Sequence, residues 1–220
     1  MRVAIAGASG KVALRLSTRL AARGVDVVGL IRSPERAEAV RAAGARPVVC
    51  DLEQTEAPQI ADAITGADAV VFAAGAGSGS GAERKLTVDR DGAIKLLGAA
   101  ASAGAPRYLM ISSIGAEDPP DGDDVFSVYL RAKAEADAAL EGSDREWTIL
   151  RPGGLGDEPG TGLVRIDTTP HHGHVPRDDV AAVLDALLQN PDTARLILYL
   201  SSGRDTVSSA LEEIVRRASS

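Results

Sequence analysis

Short apolar runs alternate with amphipathic segments along almost the whole chain. The apolar runs predict β-strands, which we place at residues 3–6, 25–31, 46–50, 69–72, 108–112, 147–150, 163–167 and 197–200. Between them, apolar residues recur at helical spacing, and the predicted helices span residues 11–23, 34–43, 57–64, 82–103, 125–140, 175–188 and 207–217. Strand and helix in alternation are typical of right-handed βαβ units. The pattern therefore predicts an α/β fold with a doubly wound parallel sheet in a three-layer α/β/α sandwich.

The composition agrees with one large core built around a sheet. The 220 residues are 45% apolar but only 3% aromatic, so valine, isoleucine, leucine and alanine must fill the interior. We find no boundary for a second domain. We expect residues 1–220 to form a single domain, in which residues 154–175 make a small lid beside the substrate.

The net charge and the cysteine count limit the kinds of partner and cellular compartment that we expect. The net charge is -7 at pH 7 and no long basic run is present, which argues against nucleic acid binding. The single cysteine, Cys50, excludes an intrachain disulfide framework, and we expect it to be a buried, reduced thiol. No apolar stretch approaches the length of a membrane span and no signal peptide pattern is visible, so we expect a cytoplasmic protein without a membrane partner.

A glycine-rich turn ends the first strand and begins the first helix. Its pattern, G-x-x-G-x-x-A, places two glycines where the chain bends. The first N–H groups of the following helix have no intrahelical acceptor, and with the helix dipole they favour an anion. The turn therefore predicts a site for a dinucleotide pyrophosphate. We expect this site to be formed by Gly7, Ala8, Ser9, Gly10, Lys11 and Val12. The alternatives are a tight turn without a ligand and, for Lys11, a solvated helix residue.

The second strand ends in a base rather than an acid. Sites that prefer NAD usually carry a carboxylate here, which binds the ribose hydroxyls. Arg32 can instead form two charge-assisted hydrogen bonds with the 2′-phosphate of NADP, so the expected cofactor is NADP(H). The alternative is an ordinary surface arginine.

The ends of strands three and four supply further candidates. Asp51 can accept a hydrogen bond from the adenine amino group and Leu52 can cover the adenine ring, although a helix-capping Asp51 would have the same sequence pattern. After strand four the chain has small residues that let a cofactor lie against the backbone. These are Ala73, Ala74 and Gly75. We expect the glycine- and serine-rich residues 76–81 to be mobile.

Tyr129 and Lys133 share one face of a predicted helix. A lysine ammonium one turn from a tyrosine stabilises the phenolate, so the phenol can act as a general acid or base. Ser112 and Ser113 end the fifth strand, where one of the two hydroxyls can bind a substrate carbonyl oxygen. By itself, Y-x-x-x-K occurs in many helices, and a half-buried tyrosine beside a solvated lysine is the alternative. After a glycine turn and a serine-ended strand, the pattern favours hydride transfer, with Tyr129 protonating the resulting alkoxide.

These motifs together resemble the atypical short-chain dehydrogenases/reductases, in the NAD(P)-binding branch with NmrA-like and biliverdin-reductase-B-like proteins. The matching segments are residues 7–10, 30–33, 51–52, 73–75, 88–93, 108–113, 129–133, 150–153 and 176–180. The resemblance implies a seven-stranded Rossmann sheet and NADP binding at Gly7, Gly10 and Arg32. It also implies a tetrad-like catalytic site at Ser113, Tyr129 and Lys133. We expect the nicotinamide end of the cofactor to meet Ser112, Lys133, Arg151 and Pro152, although Pro152 could simply stop its strand.

Two departures from the family pattern matter. Asp89 stands where typical members have asparagine, which puts the usual proton relay in doubt. The larger C-terminal substrate lobe of extended members is also missing. His171, His172 and His174 suggest a metal by composition, but they have no acidic or cysteine partner nearby in the sequence, and we expect no metal.

Three functions compete. The leading hypothesis is an NADPH-dependent reductase of a small carbonyl, quinone or flavin-like compound, acting as a monomer or homodimer. The second, favoured by Asp89 and the small lid, is an NADP(H)-sensing regulatory protein of NmrA-like type. The third is a sugar-nucleotide epimerase or dehydratase, which the missing substrate lobe disfavours. The fold alone does not decide among them.

Overall fold

The computed structural model describes residues 1–77 and 79–218. Its strands, in chain order, are β1 (Arg2–Ala6), β2 (Asp26–Ile31), β3 (Arg46–Val49), β4 (Ala69–Phe72), β5 (Arg107–Ile111), β6 (Glu146–Pro152), β7 (Gly154–Gly156), β8 (Leu163–Asp167), β9 (His174–Pro176), β10 (Leu196–Ser202) and β11 (Asp205–Thr206).

The main sheet has nine strands within these described ranges, in the order β11-β8-β10-β6-β5-β4-β1-β2-β3. From β10 to β3 all neighbours pair in parallel, which confirms the doubly wound parallel sheet. The seven-stranded sheet implied by the family resemblance is extended, because β8 and β11 add two antiparallel strands at the β10 edge. A separate parallel pair joins β7 and β9.

Helices cover both faces of the sheet. They are α1 (Lys11–Ala22), α2 (Ala37–Ala42), α3 (Ala57–Ala63), α4 (Ala82–Arg84), α5 (Ala93–Ser102), α6 (Val125–Glu141), α7 (Arg177–Gln189) and α8 (Val207–Ala218). A π-helical segment, Lys85–Gly92, joins α4 to α5, and 3-10 turns occupy Pro34–Arg36 and Pro191–Thr193. Across residues 1–77 and 79–218, no helix combines the length and apolarity needed to cross a membrane.

Two apolar clusters make the three-layer sandwich. On one face, α1, α7 and α8 pack against the sheet through residues such as Leu16, Leu184 and Ile214. On the other face, α3, α5 and α6 do so through residues that include Ile60 and Leu96. Aliphatic side chains dominate both clusters, as expected for a parallel sheet that is covered on both faces.

The structure corrects some predicted boundaries. The helix expected from residue 175 begins at Arg177, because His174–Pro176 is the strand β9. The helix expected over residues 82–103 is continuous, but its central part is π-helical. The loop predicted to be mobile contains Ser78, which lies outside the described residues, and its mobility stays a prediction.

The strand order places a crevice at one end of the sheet. Strand β1 lies between β2 and β4, so the chain reverses its direction of winding between β1 and β4. In open parallel sheets, ligands bind at such a reversal, outside the carboxyl ends of the strands. The ends of β1, β2, β3 and β4 therefore define where a site is expected.

Residues 154–175, predicted to be a lid, are attached to the rest of the fold. Strand β8 belongs to the main sheet. The buried carboxylate of Asp179 accepts hydrogen bonds from the backbone N–H groups of Thr161 at 3.0 Å and Gly162 at 2.8 Å. Asp157 forms ion pairs with Lys11, at the start of α1, and with Arg177. The segment is anchored, and its role beside a substrate stays a prediction.

Candidate functional site

A cavity of about 350 Å³ opens at the carboxyl ends of β1 to β4. It brings together nine of the residues that the sequence pointed to. They are Gly7, Ser9, Gly10, Arg32, Asp51, Leu52, Ala73, Ala74 and Gly75. Residues from four separate strands meet here because the carboxyl ends of parallel strands share one edge of the sheet.

At the glycine turn, the loop after β1 packs closely against the loop after β4. Gly7 has a φ of +75°, and a Cβ there would lie 2.5 Å from the Cα of Ala74. A Cβ on Gly10 would lie 3.1 Å from the carbonyl oxygen of Gly7. Gly10 is also the N-cap of α1 and offers the first turn no side-chain acceptor, and no acidic residue lies in that turn. This cradle fits an anionic group such as a pyrophosphate.

The end of the cavity beside β2 is basic. Arg32, Ser33 and Arg36 line it together. Within the described part of the chain, neither guanidinium lies within 4.0 Å of a carboxylate oxygen, the limit for an ion pair, so their donors are available to a ligand. A phosphate is the ligand that two such arginines and a hydroxyl bind best.

The far wall of the cavity joins β3 to the helix after the glycine loop. Leu52 is buried there, and Asp51 accepts a hydrogen bond from the N–H of Glu53 at 3.0 Å, so Asp51 both lines the cavity and closes a turn. Glu53 pairs with Arg84 at 2.6 Å. This hydrogen bond from Arg84 lowers the pKa of Glu53 below its ordinary value.

Three residues predicted for the phosphate turn lie outside the cavity lining. Ala8 and Val12 are buried in the core beneath the turn, and Lys11 forms its ion pair with Asp157. Ala8 instead explains the close packing of this region, because a Cβ on Gly29 would lie 2.7 Å from the Cβ of Ala8.

Tyr129 and Lys133 lie on the face of α6 that packs on the π-helical segment. Nζ of Lys133 is 6.0 Å from the centroid of the Tyr129 ring and 3.3 Å from Oδ1 of Asp89. It also donates a hydrogen bond to the carbonyl oxygen of Ile111 at 3.0 Å. The alternative of a solvated lysine is wrong, since Lys133 is only 3% exposed. Burial opposes the charge on Lys133, but nearby Asp89, Tyr129 and Asp137 outweigh it, and the pKa of Lys133 is raised.

Lys85 approaches Tyr129 from the π-helical segment. Its Nζ is 5.3 Å from the centroid of the Tyr129 ring, so two lysines flank the phenol. Among residues 1–77 and 79–218, the Tyr129 hydroxyl has no hydrogen-bond partner, which leaves it available to a ligand. The exposed ring of Phe126 lies 6.1 Å from that of Tyr129.

Ser112 and Arg151 belong to a buried polar cluster beneath the site. Asp137 accepts hydrogen bonds from the Ser112 hydroxyl at 2.7 Å and from Nε of Arg151 at 3.0 Å. Arg151 also donates to the Tyr199 hydroxyl at 2.7 Å. Burial raises the pKa of Asp137, although Arg151 and Ser112 oppose that rise. These bonds use Ser112 and Arg151 within the protein, so their contact with a cofactor stays a prediction.

Ser113 and Pro152 have different surroundings. The Ser113 hydroxyl is partly exposed and donates to the carbonyl oxygen of Ile114 at 3.1 Å, so Ser113 is the more accessible of the two serines. Pro152 is the last residue of β6, in register with Leu200 of β10.

The three histidines separate in the structure. Nε2 of His171 lies 3.1 Å from the Ser201 hydroxyl, and His174 lies beside Glu158. Within the described ranges, no three histidine, cysteine, aspartate or glutamate side chains are grouped as metal ligands.

Sequence reasoning did not select several residues that shape the site. Arg36 lines the cavity one turn after Arg32, and the Ser-Pro helix start between them was the available signal. Arg84, Lys85 and Asp137 gave no local signal, because their partners lie far away in the sequence.

Comparison with known families agrees with this geometry. The model of the family described as NAD(P)H-binding matches residues 7–191 of the chain. The chain belongs to this NAD(P)H-binding family, and its resemblance to the atypical short-chain dehydrogenases/reductases is confirmed.

Similar proteins carry the names of epimerases and reductases. The Bacillus subtilis protein YhfK, named an uncharacterized sugar epimerase, is 36% identical over 97% of this chain and 100% of its own length. A solved Bacillus halodurans structure, provisionally named an NAD-dependent epimerase/dehydratase, is 35% identical with a TM-score of 0.90, covering 97% of this chain and 99% of its own. ChuY of Escherichia coli O157:H7, named an anaerobillin reductase, is 26% identical with a TM-score of 0.78, covering 92% and 97%.

Proposed function

We propose that this protein is an NADPH-dependent oxidoreductase that reduces a small carbonyl, quinone or flavin-like compound. One observation carries the proposal: the arginine-lined cavity lies at the carboxyl ends of β1 to β4, and Lys133, beside Tyr129, contacts Phe72 and Ile111 at the carboxyl ends of β4 and β5. The NAD(P)H-binding family and a similar reductase support a nicotinamide cofactor and reductive chemistry. The preference for NADPH rests on Arg32 and Arg36.

The residues of the cavity would hold the cofactor in order along the strand ends. Gly7–Gly10 would bind the pyrophosphate, Arg32 and Arg36 the 2′-phosphate, and Leu52 the adenine ring. The bound cofactor would supply hydride. Alanines and Gly75 at the end of β4 leave the backbone open to the rest of the dinucleotide.

Tyr129 would supply the proton. Its hydroxyl is available, and the ammonium groups of Lys85 and Lys133 flank its ring. Positive charge stabilises the phenolate that remains after the proton leaves, so both lysines favour Tyr129 as a general acid. Ser113, with its partly exposed hydroxyl, would bind the substrate oxygen.

The experiment is NADPH oxidation with a panel of quinones, flavins and aldehydes. We expect the wild type to reduce at least one class and Tyr129→Phe to lose about 10²–10⁴-fold in kcat, the usual contribution of general acid–base catalysis. Tyr108→Phe is the matched control, because the Tyr108 ring is fully buried and its hydroxyl is 3.5 Å from a backbone oxygen. Full activity of Tyr129→Phe would refute the role of the phenol.

The second candidate is an NADP(H) sensor of NmrA-like type. It is favoured by Asp89, whose carboxylate forms an ion pair with Lys133 at the position where typical members of the family have asparagine. Tight dinucleotide binding, no turnover of any compound and a partner protein captured in only one redox state would favour the sensor. The names of two similar proteins, a sugar epimerase and an NAD-dependent epimerase/dehydratase, also make epimerisation an outcome to assay beside the panel.

A further inference from the structure

Asp89 is a buried acid between the loop after β4, which lines the cavity, and Lys133 of α6. It lies in the π-helical segment and is 1% exposed. Segments of π-helix are rare and are frequent at functional sites. Because a buried carboxylate is costly unless it is paired and hydrogen-bonded, the partners of Asp89 indicate what it does.

The two carboxylate oxygens of Asp89 face different structures. Oδ1 lies 3.3 Å from Nζ of Lys133, on α6. Oδ2 accepts a hydrogen bond from the N–H of Ala76 at 3.1 Å, in the loop that follows β4. A Cβ on Gly75 would lie 3.2 Å from Oδ1, so the loop lies directly against the carboxylate. One side chain therefore contacts both the cofactor-side loop and the helix that carries Tyr129.

Lys85 makes a second connection between the same two regions. Its Nζ donates to the carbonyl oxygen of Gly77 at 2.9 Å and lies over the Tyr129 ring. Lys85 and Asp89 are four residues apart on the π-helical segment, and both bind the backbone of the loop between β4 and α4.

Asp89 is also the counter-ion that Lys133 requires. A buried ammonium needs a nearby carboxylate, or it loses its proton. The other acid on this face, Asp137, also favours the charged form of Lys133, but its ion pair is with Arg151, and among the described residues only Asp89 lies within ion-pair distance of Lys133. An asparagine at position 89 would still accept from Ala76 through its amide oxygen, but it would supply no charge to Lys133.

We propose that Asp89 is a positioning residue whose carboxylate joins the loop after β4 to α6 and keeps Lys133 charged beside Tyr129. The assignment rests on the proposed function for its catalytic meaning, but its two physical consequences are measurable without turnover. The position of the loop after β4 and the charge on Lys133 beside Tyr129 then both depend on the carboxylate of Asp89.

The first test measures the charge of Lys133. The chain has four lysines, Lys11, Lys85, Lys95 and Lys133, so ¹⁵N-lysine labelling gives a simple spectrum of side-chain ammonium groups. Loss of one signal in Lys133→Met assigns Lys133. The groups that face it are Asp89 from the π-helical segment and Tyr129 and Asp137 from its own helix. In the wild type we expect the Lys133 signal to persist to higher pH than that of an exposed lysine.

In Asp89→Asn, burial is no longer offset by the nearest carboxylate. We therefore expect Lys133 to lose its proton at a pH at least about one unit lower than in the wild type, a tenfold loss of proton affinity. Asp91→Asn is the matched control, because Asp91 is an exposed acid two residues away that pairs with Arg90. Unchanged titration of Lys133 in Asp89→Asn would overturn the proposal.

The second test measures hydrogen exchange at the Ala76 amide. Asp89→Asn should preserve its protection, whereas Asp89→Ala should accelerate its exchange about tenfold or more, because it removes the acceptor that this N–H has among the described residues. If Asp89→Ala does not fold, Asp89→Leu in the same assay replaces it. Equal exchange in the wild type and the folded variant would overturn the loop connection.

Activity then separates this inference from the proposed function. If a substrate is found, Asp89→Asn should lower kcat more than it raises the KM for NADPH, whereas a purely structural residue would change neither the Lys133 titration nor that ratio. Absence of turnover in every protein, with both NMR results as expected, would refute the reductase and leave the role of Asp89 intact. Turnover that depends on Tyr129, with an unchanged Lys133 titration, would support the reductase and refute the role of Asp89.

Discussion

Replacing Arg32 with alanine tests whether the basic end of the cavity selects NADPH over NADH. Arg32 and Arg36 line that end, and within residues 1–77 and 79–218 neither is held by an ion pair with a carboxylate. If the 2′-phosphate binds there, Arg32→Ala removes charge-assisted hydrogen bonds to NADPH. NADH has no phosphate at this position, so its binding should change little.

The magnitude follows from the kind of bond and its exposure. A hydrogen bond to a charged group contributes about 1.5–3 kcal/mol, and about 1.4 kcal/mol changes an affinity tenfold. Arg32 is an exposed side chain, and solvent screening places the effect in the lower half of that range. We therefore expect the Kd for NADPH to rise about 10- to 40-fold.

The assay is titration of NADPH and NADH by their fluorescence at two salt concentrations. Arg41→Ala is the matched control, because Arg41 is an exposed arginine on α2 that pairs with Glu38. The selectivity for NADPH should fall in Arg32→Ala and stay unchanged in Arg41→Ala. An equal loss for both cofactors, or no loss for either, would refute the assignment of the 2′-phosphate site.

Three further substitutions test the close packing and the ion pairs that surround the site. Gly7→Ala should abolish dinucleotide binding in the same titration, since its Cβ would meet backbone at 2.5 Å, whereas Gly24→Ala, which has the same positive φ and open space, should cost only about 1–2 kcal/mol of stability and bind normally. Asp137→Ala should lower the free energy of unfolding in urea by about 3 kcal/mol, because it removes the carboxylate 3.0 Å from the buried guanidinium of Arg151 and leaves the longer ion pair with Glu117 at 3.7 Å, while the exposed Glu135→Ala should change it by less than about 1 kcal/mol. The hydrogen bond from Arg84 lowers the pKa of Glu53, so the stability that Glu53 contributes is present above its ordinary pKa of 4.5 and is lost as pH falls through the lowered pKa. The difference in the free energy of unfolding between wild type and Glu53→Gln should therefore shrink over that acidic range. A difference that stays constant would contradict the pairing of Glu53 with Arg84.

The sheet and the glycine turn were predictable because their signals are local. Buried parallel strands are short aliphatic runs, and Gly7 and Gly10 mark the turn at which β1 ends. Strand β11 has only two residues and β9 three, so neither has enough length to show a pattern. The helix expected at residue 175 starts later for that reason.

The residues that line the cavity were partly predictable, whereas the contacts between the buried charged residues beside it were not. Arg32, Asp51 and Ala73 follow directly from strand ends, which topology brings to one edge. The contacts of Lys133 with Asp89 and of Asp137 with Arg151 join residues on separate elements, and no spacing in the sequence encodes them. The sequence therefore indicated that Asp89 was unusual, while its two partners required the structure.

A crystal structure of the protein with bound NADP⁺ tests the central claim most directly. The account predicts the pyrophosphate over Gly7–Gly10, the 2′-phosphate between Arg32 and Arg36, and the nicotinamide ring beside the hydroxyl of Tyr129. A dinucleotide bound elsewhere, or a nicotinamide ring that lies away from Tyr129, would contradict the account.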